Sequence, residues 1–368
     1  PRGRAHPAAP GAVRGEHAVR FLLANDVYVA DTLADGQGGL ARVAALRSRL
    51  REGGPILFVL AGDVLSPSLL SKYYRGEQML EAFNASGLNY ATFGNHEFEL
   101  DRDTLVDRIA RSRFRWLSAN CTEANGSPFP GVRPWDTLTI SGVRVGLFGV
   151  TLQGDYRKYV ACGPVDSAAH RAIAELESMH ADLIVGITHQ ILEADQALLI
   201  REPKLDLILG GHEHEAHDTI VNGRHTAKAD ANVRTVRIVT VSGARGTWRE
   251  QVELKAIDRS LPADSIVARV TARWADSLRA RLGPERSVAT AAEPIDARDA
   301  VQRSRESVLG DIATDAIRVG TGADLALMNA GTMRLDDVLQ AGHISSYQLE
   351  SIFLFSDEAR IVVFPLSG

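Results

Sequence analysis

The sequence predicts an α/β fold, because short apolar runs typical of strands alternate with amphipathic segments over much of the chain. A polar or glycine-rich turn follows each apolar run, as expected where a buried strand ends. Five runs carry the strand signal: 19–24, 56–62, 88–94, 183–188 and 205–211. The composition, with 45% hydrophobic and 24% charged residues, is that of an ordinary globular protein with a sizeable core.

The segments between and after these runs also carry helix and strand signals. A helix is predicted over 39–54, where Leu40, Val43, Leu46 and Leu50 fall at helical spacing and glycines end the segment. Further strands are predicted over 143–150, 233–243 and 248–257. Together with the five runs, these elements make one α/β unit over residues 18–257.

The chain changes character after residue 257. Residues 258–285 form one amphipathic stretch with an apolar residue every fourth position, which predicts a linker helix. A second α/β unit is expected over 286–368, with a helix over 307–320 and strands over 323–331 and 360–368. That unit is short for a complete domain, so we expect it to be truncated. Residues 1–17, rich in Pro, Gly, Ala and Arg, are expected to form a flexible leader.

Charge and hydropathy exclude some classes of partner. The 41 Lys and Arg and the 46 Asp and Glu give a net charge of −5, which argues against a nucleic-acid polymer as a general ligand. No apolar run approaches the ~18 residues of a membrane span. The leader lacks the apolar stretch of a signal peptide. A periplasmic or extracellular location stays open if a preceding segment was removed, and the oligomeric state is not predicted.

The chain has two cysteines, Cys121 and Cys162. Two cysteines in a chain of this length do not form a disulfide framework, so the expectation is two buried thiols. A single disulfide in an oxidising compartment is the alternative.

Residues that can bind metal ions stand at the ends of the five predicted strands. They are Asp26, Asp63, Asn95 with His96, His189, and His212 with His214. Open α/β sheets bind ligands at the carboxyl edge of their strands, and carboxylate, amide and imidazole groups are metal ligands. Taken singly, an Asp after a strand is more often a turn former, and a lone histidine is more often structural. Five in register favour a metal site.

These motifs resemble those of the calcineurin-like metallophosphoesterases. The sequences GNHEFE at 94–99 and GGHEHE at 210–215 are similar to those of the 5′-nucleotidase branch. The segment SRESVLGDIATDAIRVGTGADLALMNAG, followed by Arg334, resembles the nucleotide-binding C-terminal domain of that branch.

The resemblance implies a four-layer αββα sandwich with two divalent metal ions, such as Mn, Mg or Zn. One ion would be held by Asp26, Asp63 and His214. The other would be held by Asp63, Asn95, His189 and His212. His96 would lie beside the phosphorus, oriented by Glu99. The positions that match nucleotide contacts are Arg303, Asn329, Arg334 and Phe355. The implied reaction is hydrolysis of nucleoside 5′-monophosphates or related phosphate esters by a hydroxide that bridges the metals.

The sequence departs from the family pattern at three places. Tyr28 stands where the family has the histidine of a D-x-H motif, and a neutral phenol is a poor ligand, so weaker binding of the first metal or a preference for a harder ion follows. Glu99 replaces an Asp, and the NAG-TMR loop at 329–334 is less glycine-rich than usual. A 2′,3′-cyclic nucleotide or nucleotide-sugar hydrolase and a catalytically weak metal- or nucleotide-binding module are the alternatives.

Overall fold

The structure, a computed structural model, describes residues 17–355 and 359–366. The predicted leader therefore lies outside the described residues except for its last position. Residues 356–358 and 367–368 of the predicted second unit also lie outside them.

The strands and helices alternate through the described chain. The strands are β1 His17–Ala24, β2 Leu57–Ala61, β3 Tyr90–Thr92, β4 Arg115–Leu117, β5 Cys121–Glu123, β6 Val132–Arg133, β7 Trp135–Ile140, β8 Val143–Thr151, β9 Val160–Cys162, β10 Leu183–His189, β11 Leu207–Gly211, β12 His217–Val221, β13 Arg224–Lys228, β14 Thr235–Gly243, β15 Arg249–Ala256, β16 Ser287–Ala291, β17 Ile295–Asp296, β18 Val338–Leu339 and β19 Gly342–Ser345. The α-helices are α1 Leu40–Glu52, α2 Leu69–Tyr74, α3 Glu77–Ser86, α4 Arg102–Arg111, α5 Val165–Ser178, α6 Leu192–Arg201, α7 Ser265–Leu282, α8 Asp299–Gln302, α9 Val308–Thr321 and α10 Ser346–Ile352. Short 3₁₀ turns span His96–Glu99, Ala231–Val233 and Ala330–Thr332.

Two mixed sheets pack face to face in the N-terminal unit. Within the described residues, one sheet has the strand order β15-β14-β1-β2-β3-β4-β6 and the other has the order β12-β13-β11-β10-β8-β7. An apolar core joins their facing sides. A second core packs α1 and α3 on the first sheet, and a third packs α5 and α6 on the second. This is the predicted four-layer αββα arrangement.

Strand β1 shows how the sequence forms these layers. Val19, Phe21 and Leu23 point into the core between the sheets, whereas Leu22 and Ala24 point toward the helices. Successive side chains of a strand face opposite sides, so a strand buried on both faces is apolar throughout. The parallel strands β1, β2 and β3 therefore end at one edge, where their polar successors meet.

The C-terminal unit, residues 286–366 as far as described, is much less complete. Its described strands form only two-stranded pairs, β16 with β19 and β17 with β18. The predicted helix over 307–320 forms as α9, but the strands predicted over 323–331 and 360–368 are wrong for the described residues. The apolar pattern there indicated burial, yet Leu327 is 85% exposed and Val362 is 73% exposed. No described strand lies alongside to pair with them, and an unpaired strand is not stable.

The predicted linker helix forms as α7, and it does not stand free between the units. Asp264 caps its N-terminus by accepting hydrogen bonds from the N–H groups of Ile266 and Val267. Val267 is fully buried in the core that covers the first sheet. Trp274 reaches Glu81 of α3 with its ring N–H at 2.9 Å. In the described part of the chain, no helix combines the length and the apolar character that crossing a membrane requires.

The expectation of two buried thiols is wrong, because Cys121 and Cys162 form a disulfide with an S–S distance of 2.06 Å. The two residues are directly opposite each other in the antiparallel pair β5–β9. The bond closes a segment that contains the loop 152–159. The 41-residue separation hid this pairing from the sequence.

Candidate metal centre

Three buried side chains from three strand ends meet in the N-terminal unit. Asp26, Asp63 and His189 present ligand atoms that all lie within 4.8 Å of one another, and none of the three is more than 1% exposed. Both aspartates have positive φ angles, 52° and 57°, so the backbone turns sharply where each strand ends. Aspartate tolerates this conformation better than most residues. Such a group of two carboxylates and an imidazole could hold a divalent metal ion.

His189 is fixed by the backbone of the same unit. Its Nδ1 donates to the carbonyl oxygen of Ala61 at 2.8 Å, which turns Nε2 toward Asp63 Oδ2 and Asn95 Oδ1, both at 3.2 Å. The ring of His212 lies 5.2 Å from that of His189, edge to face. Burial and the charge of His189 lower the pKa of His212 to about 4. His212 is therefore neutral at physiological pH, which is the form that binds metals.

The two carboxylates differ in their electrostatic surroundings. Burial opposes ionisation of Asp63, but His189 and His96 outweigh it and hold the pKa of this carboxyl well below its usual value. Burial dominates at Asp26 and raises its pKa, although His189 and His214 oppose this. Asp63 is thus the more strongly ionised carboxylate and lies between the other candidate ligands.

Tyr28 occupies the space between Asp26, Asp63 and His214. Its hydroxyl lies 3.4 Å from Asp26 Oδ1, 3.2 Å from Asp63 Oδ2 and 3.1 Å from His214 Nε2. Burial and the two carboxylates raise the pKa of Tyr28 well above its usual value. The phenol is therefore a neutral hydrogen-bond donor. It stands at the position where the family pattern has a histidine that binds metal.

The backbone around the cluster leaves no room for side chains. A Cβ added at Gly62 would lie 2.5 Å from His189 Nδ1. One added at Gly94 would clash with the Asp63 carboxylate, and one at Gly211 with the Ala61 carbonyl. Only glycine permits such close approach. The residues present thus fit a compact divalent metal site.

His96 and Glu99 form a pair at the open side of the cluster. His96 Nδ1 donates to Glu99 Oε1 at 2.6 Å, and Glu99 Oε2 accepts from the hydroxyl of Ser66 at 2.7 Å. Burial lowers the pKa of His96, but the charge of Asp63 and the bond to Glu99 outweigh it and raise the pKa above its usual value. Arg334 Nη2 donates to His96 Nε2 at 2.7 Å and opposes this, because a guanidinium can only donate.

The four residues predicted to contact a nucleotide have different positions. Arg334 reaches His96, and Phe355 lines a cleft of about 150 Å³ beside Glu99. Arg303 forms an ion pair at 2.7 Å with Asp299, whose carboxylate lies 3.8 Å from His214 Nδ1. The side-chain oxygen of Asn329 accepts from the N–H of Gly331 within a local turn. Arg334 therefore reaches the cluster through His96, whereas Phe355 shares its cleft with Glu99 rather than with a candidate metal ligand.

Several residues that support the site were not singled out from the sequence. The carboxylate of the fully buried Glu97 accepts four backbone N–H groups, those of Asp63, Val64, Leu65 and Gly94. It thereby ties the strand ends after β2 and β3 together. The one available signal was its place next to His96 in the motif at 94–99.

A buried lysine backs the histidines from behind. Lys228 Nζ, fully buried, donates to the carbonyl oxygens of Gln190 at 2.6 Å and Gly211 at 2.9 Å. These carbonyls belong to the residues next to His189 and His212. The same ammonium pairs with Asp195 at 2.9 Å and with Glu213 at 2.5 Å. A buried ammonium needs such partners to be stable. No sequence pattern predicted that Lys228 is buried.

The comparisons with protein families cover most of the chain. The model of the calcineurin-like phosphoesterase family matches residues 19–216, more than half of the chain. The model of the 5′-nucleotidase C-terminal domain matches residues 287–368.

The relatives by sequence are distant and longer. The chain is 24% identical over 359 residues to the Endonuclease YhcR of Bacillus subtilis (strain 168), which covers 88% of this chain and 29% of that protein. It is 27% identical over 189 residues to the 5′-nucleotidase of Bos taurus, covering 48% of this chain and 33% of that protein. The chain thus spans about a third of the length of these two relatives.

Solved structures share the fold. The 5′-nucleotidase precursor of Thermus thermophilus superposes with a TM-score of 0.80 at 23% identity, over 91% of this chain and 73% of that chain. The sulfate thiohydrolase SoxB of the same organism gives a TM-score of 0.76 at 14% identity, over 94% and 74% of the two chains. Because these neighbours are named for different reactions, the likeness shows the fold, and the substrate has to be argued from the site.

Proposed function

The chain belongs to the calcineurin-like phosphoesterase family, and we propose that it hydrolyses phosphate esters with two divalent metal ions, acting on nucleoside 5′-monophosphates or related nucleotides. The observation that carries the proposal is the position of the His96–Glu99 pair. His96 Nε2 lies 3.8 Å from Asp63 Oδ2, at the mouth of a buried carboxylate and imidazole cluster. A proton donor beside a metal cluster is what cleavage of a phosphate ester needs.

The candidate ligands divide into two overlapping sets. Asp26, Asp63 and His214 would hold one ion, with Tyr28 beside them. The second set, with Asp63 shared, is Asp63, Asn95, His189 and His212. When bound, two such ions supply Lewis-acid activation of water and of the phosphoryl oxygens. Mn, Mg and Zn all suit oxygen and imidazole ligands. Beside Tyr28 the candidate ligands include more oxygen than nitrogen atoms, which favours a harder ion at that position.

The chain's own residues would then orient the ester and handle the proton. Glu99 accepts from His96 Nδ1 and fixes the ring, so Nε2 faces the substrate and can donate a proton to the leaving oxygen. Arg334 supplies a forked cation for phosphate oxygens. Phe355 offers an aromatic face for a nucleobase, and Arg303 and Asn329 are the remaining candidate contacts. On this proposal residues 18–257 bind the metals, 286–368 contact the nucleotide, and 258–285 join them.

A steady-state assay tests the proposal. Hydrolysis products are separated by chromatography for a panel of nucleoside 5′-monophosphates, a 2′,3′-cyclic nucleotide, a nucleotide sugar and an aryl phosphate, each with Mn²⁺, Mg²⁺ or Zn²⁺ and with chelator. Free phosphate is also counted for the monoesters. We expect metal-dependent release that falls by about 10²–10⁴-fold in His96→Ala, the usual contribution of a general acid. The matched control is His170→Ala, because His170 is an exposed histidine that bonds a carboxylate, Glu202, far from the cluster.

The outcomes separate the candidate functions. Hydrolysis of the cyclic nucleotide to a monophosphate, or of the nucleotide sugar to a nucleotide and a sugar phosphate, with the monophosphates left intact, would replace the monophosphate as the substrate class. No hydrolysis of any substrate with any metal, while metal binding persists, would favour a catalytically weak binding module. Equal loss in His96→Ala and His170→Ala would remove His96 from the mechanism.

The disulfide bears on the compartment. Disulfides persist in oxidising environments and are rare where glutathione keeps thiols reduced. The Cys121–Cys162 bond therefore supports a periplasmic or extracellular location for this phosphoesterase.

A further inference from the structure

Two neighbouring aspartates of the C-terminal unit reach across to the N-terminal unit and take different partners. Asp336 Oδ2 accepts from His214 Nδ1 at 2.7 Å. Asp337 Oδ1 accepts from Arg234 Nη2, also at 2.7 Å. The first contact involves a candidate metal ligand and the second does not. Asp336 thus gives the C-terminal unit a direct hydrogen bond to a candidate metal ligand, whereas the Asp299 carboxylate lies 3.8 Å from the same His214 nitrogen.

The backbone and a second bond hold Asp336 in place for this contact. Its other carboxylate oxygen, Oδ1, accepts from the N–H of Asp299 at 2.8 Å. Its φ angle is 45°, in the left-handed region that aspartate tolerates better than most residues. The side chain is only 12% exposed. The carboxylate is therefore fixed before any ligand arrives.

The contact decides which ring nitrogen of His214 faces the cluster. With the proton on Nδ1 committed to Asp336, the lone pair lies on Nε2. That nitrogen lies 3.7 Å from Asp26 Oδ1 and 3.1 Å from the Tyr28 hydroxyl. A carboxylate bound to the far nitrogen of a histidine commonly fixes the tautomer and orientation of a metal ligand.

We propose that Asp336 is a positioning residue for the metal centre, so that binding of the metal on the His214 side depends on docking of the C-terminal unit. The inference rests on the proposed metal-dependent function. It implies that only one of the two ions depends on Asp336 for its binding. His189 obtains its orientation from the Ala61 carbonyl of its own unit, so the ion held by Asn95, His189 and His212 does not need Asp336. Docking would thus complete one metal position and leave the other as it is.

The test compares Asp336→Asn with Asp337→Asn in the full chain. Mn²⁺ and Zn²⁺ are titrated into the apoprotein by isothermal calorimetry, with bound metal counted by elemental analysis. His214 and the N–H of Asp299 bond different oxygens of Asp336, and asparagine has an NH2 group at one of those two positions, so it cannot accept from both donors in this geometry. We expect Asp336→Asn to weaken one of two metal positions by about 10–100-fold, the usual effect of losing such a partner. The matched variant Asp337→Asn removes the charge from an equally long ion pair between the units but leaves His214 bonded, so both affinities should stay within about threefold.

Two further readouts separate positioning from mere stability. The ¹⁵N shifts of the His214 ring should move away from the Nδ1-protonated pattern in Asp336→Asn and stay unchanged in Asp337→Asn. Asp336→Glu, which retains both carboxylate oxygens, should recover part of the lost affinity. Unfolding temperatures of the metal-free variants should be alike.

The results distinguish the inference from the function beneath it. If the wild-type chain binds two metals and Asp336→Asn binds them as tightly, the inference is overturned while the proposed function stands. Equal weakening in Asp336→Asn and Asp337→Asn would also overturn it, because docking alone would then explain the loss. If the wild-type chain binds no metal, the proposed function fails first.

Discussion

His189 and His214 both lie near Asp26, yet the far ring nitrogen of each histidine bonds to a different part of the molecule. His189, at the end of β10, donates to the carbonyl of Ala61, at the end of β2 in the facing sheet of the same unit. His214 donates to Asp336, which lies 122 residues further along the chain in the C-terminal unit. We call the region of His189, His212 and Lys228 the inner side, and that of Tyr28, His96 and His214 the outer side.

The difference concerns how each side becomes ordered. The inner side is fixed by backbone carbonyls and by a buried ammonium, so folding of the N-terminal unit alone orders it. The outer side draws on side chains from elsewhere, namely Asp336, Arg334 and the loop 152–159, whose Arg157 donates to the carbonyl of Glu99 at 2.9 Å. In the proposed two-metal site, the inner position would therefore be ordered by the N-terminal unit alone. The outer position would also depend on contacts from the C-terminal unit.

The largest expected effect comes from removing the inner support. Lys228→Met should lower the free energy of unfolding by about 3–5 kcal/mol, because Asp195 and Glu213 lose their buried cation. Metal affinity on the inner side should fall as well. Urea unfolding of the metal-free protein and metal titration measure the two quantities. Lys204→Met, at a 60% exposed lysine that pairs with Glu177, is the control and should change little.

A second variant keeps this prediction decisive if Lys228→Met does not fold. Lys228→Met combined with Asp195→Leu leaves fewer unpaired buried charges and should recover part of the stability. A Lys228→Met protein as stable as wild type would mean that the inner side does not depend on the buried ammonium.

Removing the disulfide should have an intermediate effect on stability and should leave the inner side unchanged. Cys121→Ser with Cys162→Ser should lower the free energy of unfolding by about 2–4 kcal/mol, because the unfolded chain regains the freedom that the cross-link removed. Metal affinity on the inner side should be unchanged, because its ligands stand on strands outside the linked segment. Urea unfolding with and without reductant measures the loss.

Reductant serves as the internal control for this prediction. Wild type should approach the double variant when reduced, and the double variant should not respond. Wild type that keeps its full stability after complete reduction would contradict the expectation.

The smallest effect is a gain on the outer side. Tyr28→His would supply the imidazole that the sequence pattern lacks, and metal affinity at the position of Asp26 and His214 should rise by about tenfold, at the low end of the range for changes around a metal. Tyr28→Phe removes the hydroxyl without adding a ligand and should bring no such gain. Metal titration of the three proteins decides the matter; identical affinities would show that the phenol is not limiting.

The sequence was most informative where one segment determines one element. The apolar run of β1 and the helical spacing in α1 predicted both elements because burial alone decides them. The residues at the strand ends were predictable for the same reason, since parallel strands bring their ends to one edge. Asp26, Asp63 and His189 are indeed together.

Contacts between distant segments were beyond the reach of local patterns. Lys228 reads as an ordinary polar residue in a strand, and Asp336 as one acid of a pair, because their partners are far away in sequence. The segments at 323–331 and 360–366 failed for the opposite reason. Their apolar pattern is typical of strands. A strand also needs a neighbouring strand to pair with, and the local pattern does not reveal whether one is present.

The contact between Arg334 and His96 has a consequence for ligand affinity. In this conformation the guanidinium occupies the approach to His96 Nε2, where a leaving oxygen would have to come. On the proposed mechanism, a phosphate ester would compete with this guanidinium, and its dissociation constant would contain the free energy of moving Arg334 aside. An ester whose own oxygens accept the displaced guanidinium would recover part of that free energy, so Arg334 would select for anionic ligands.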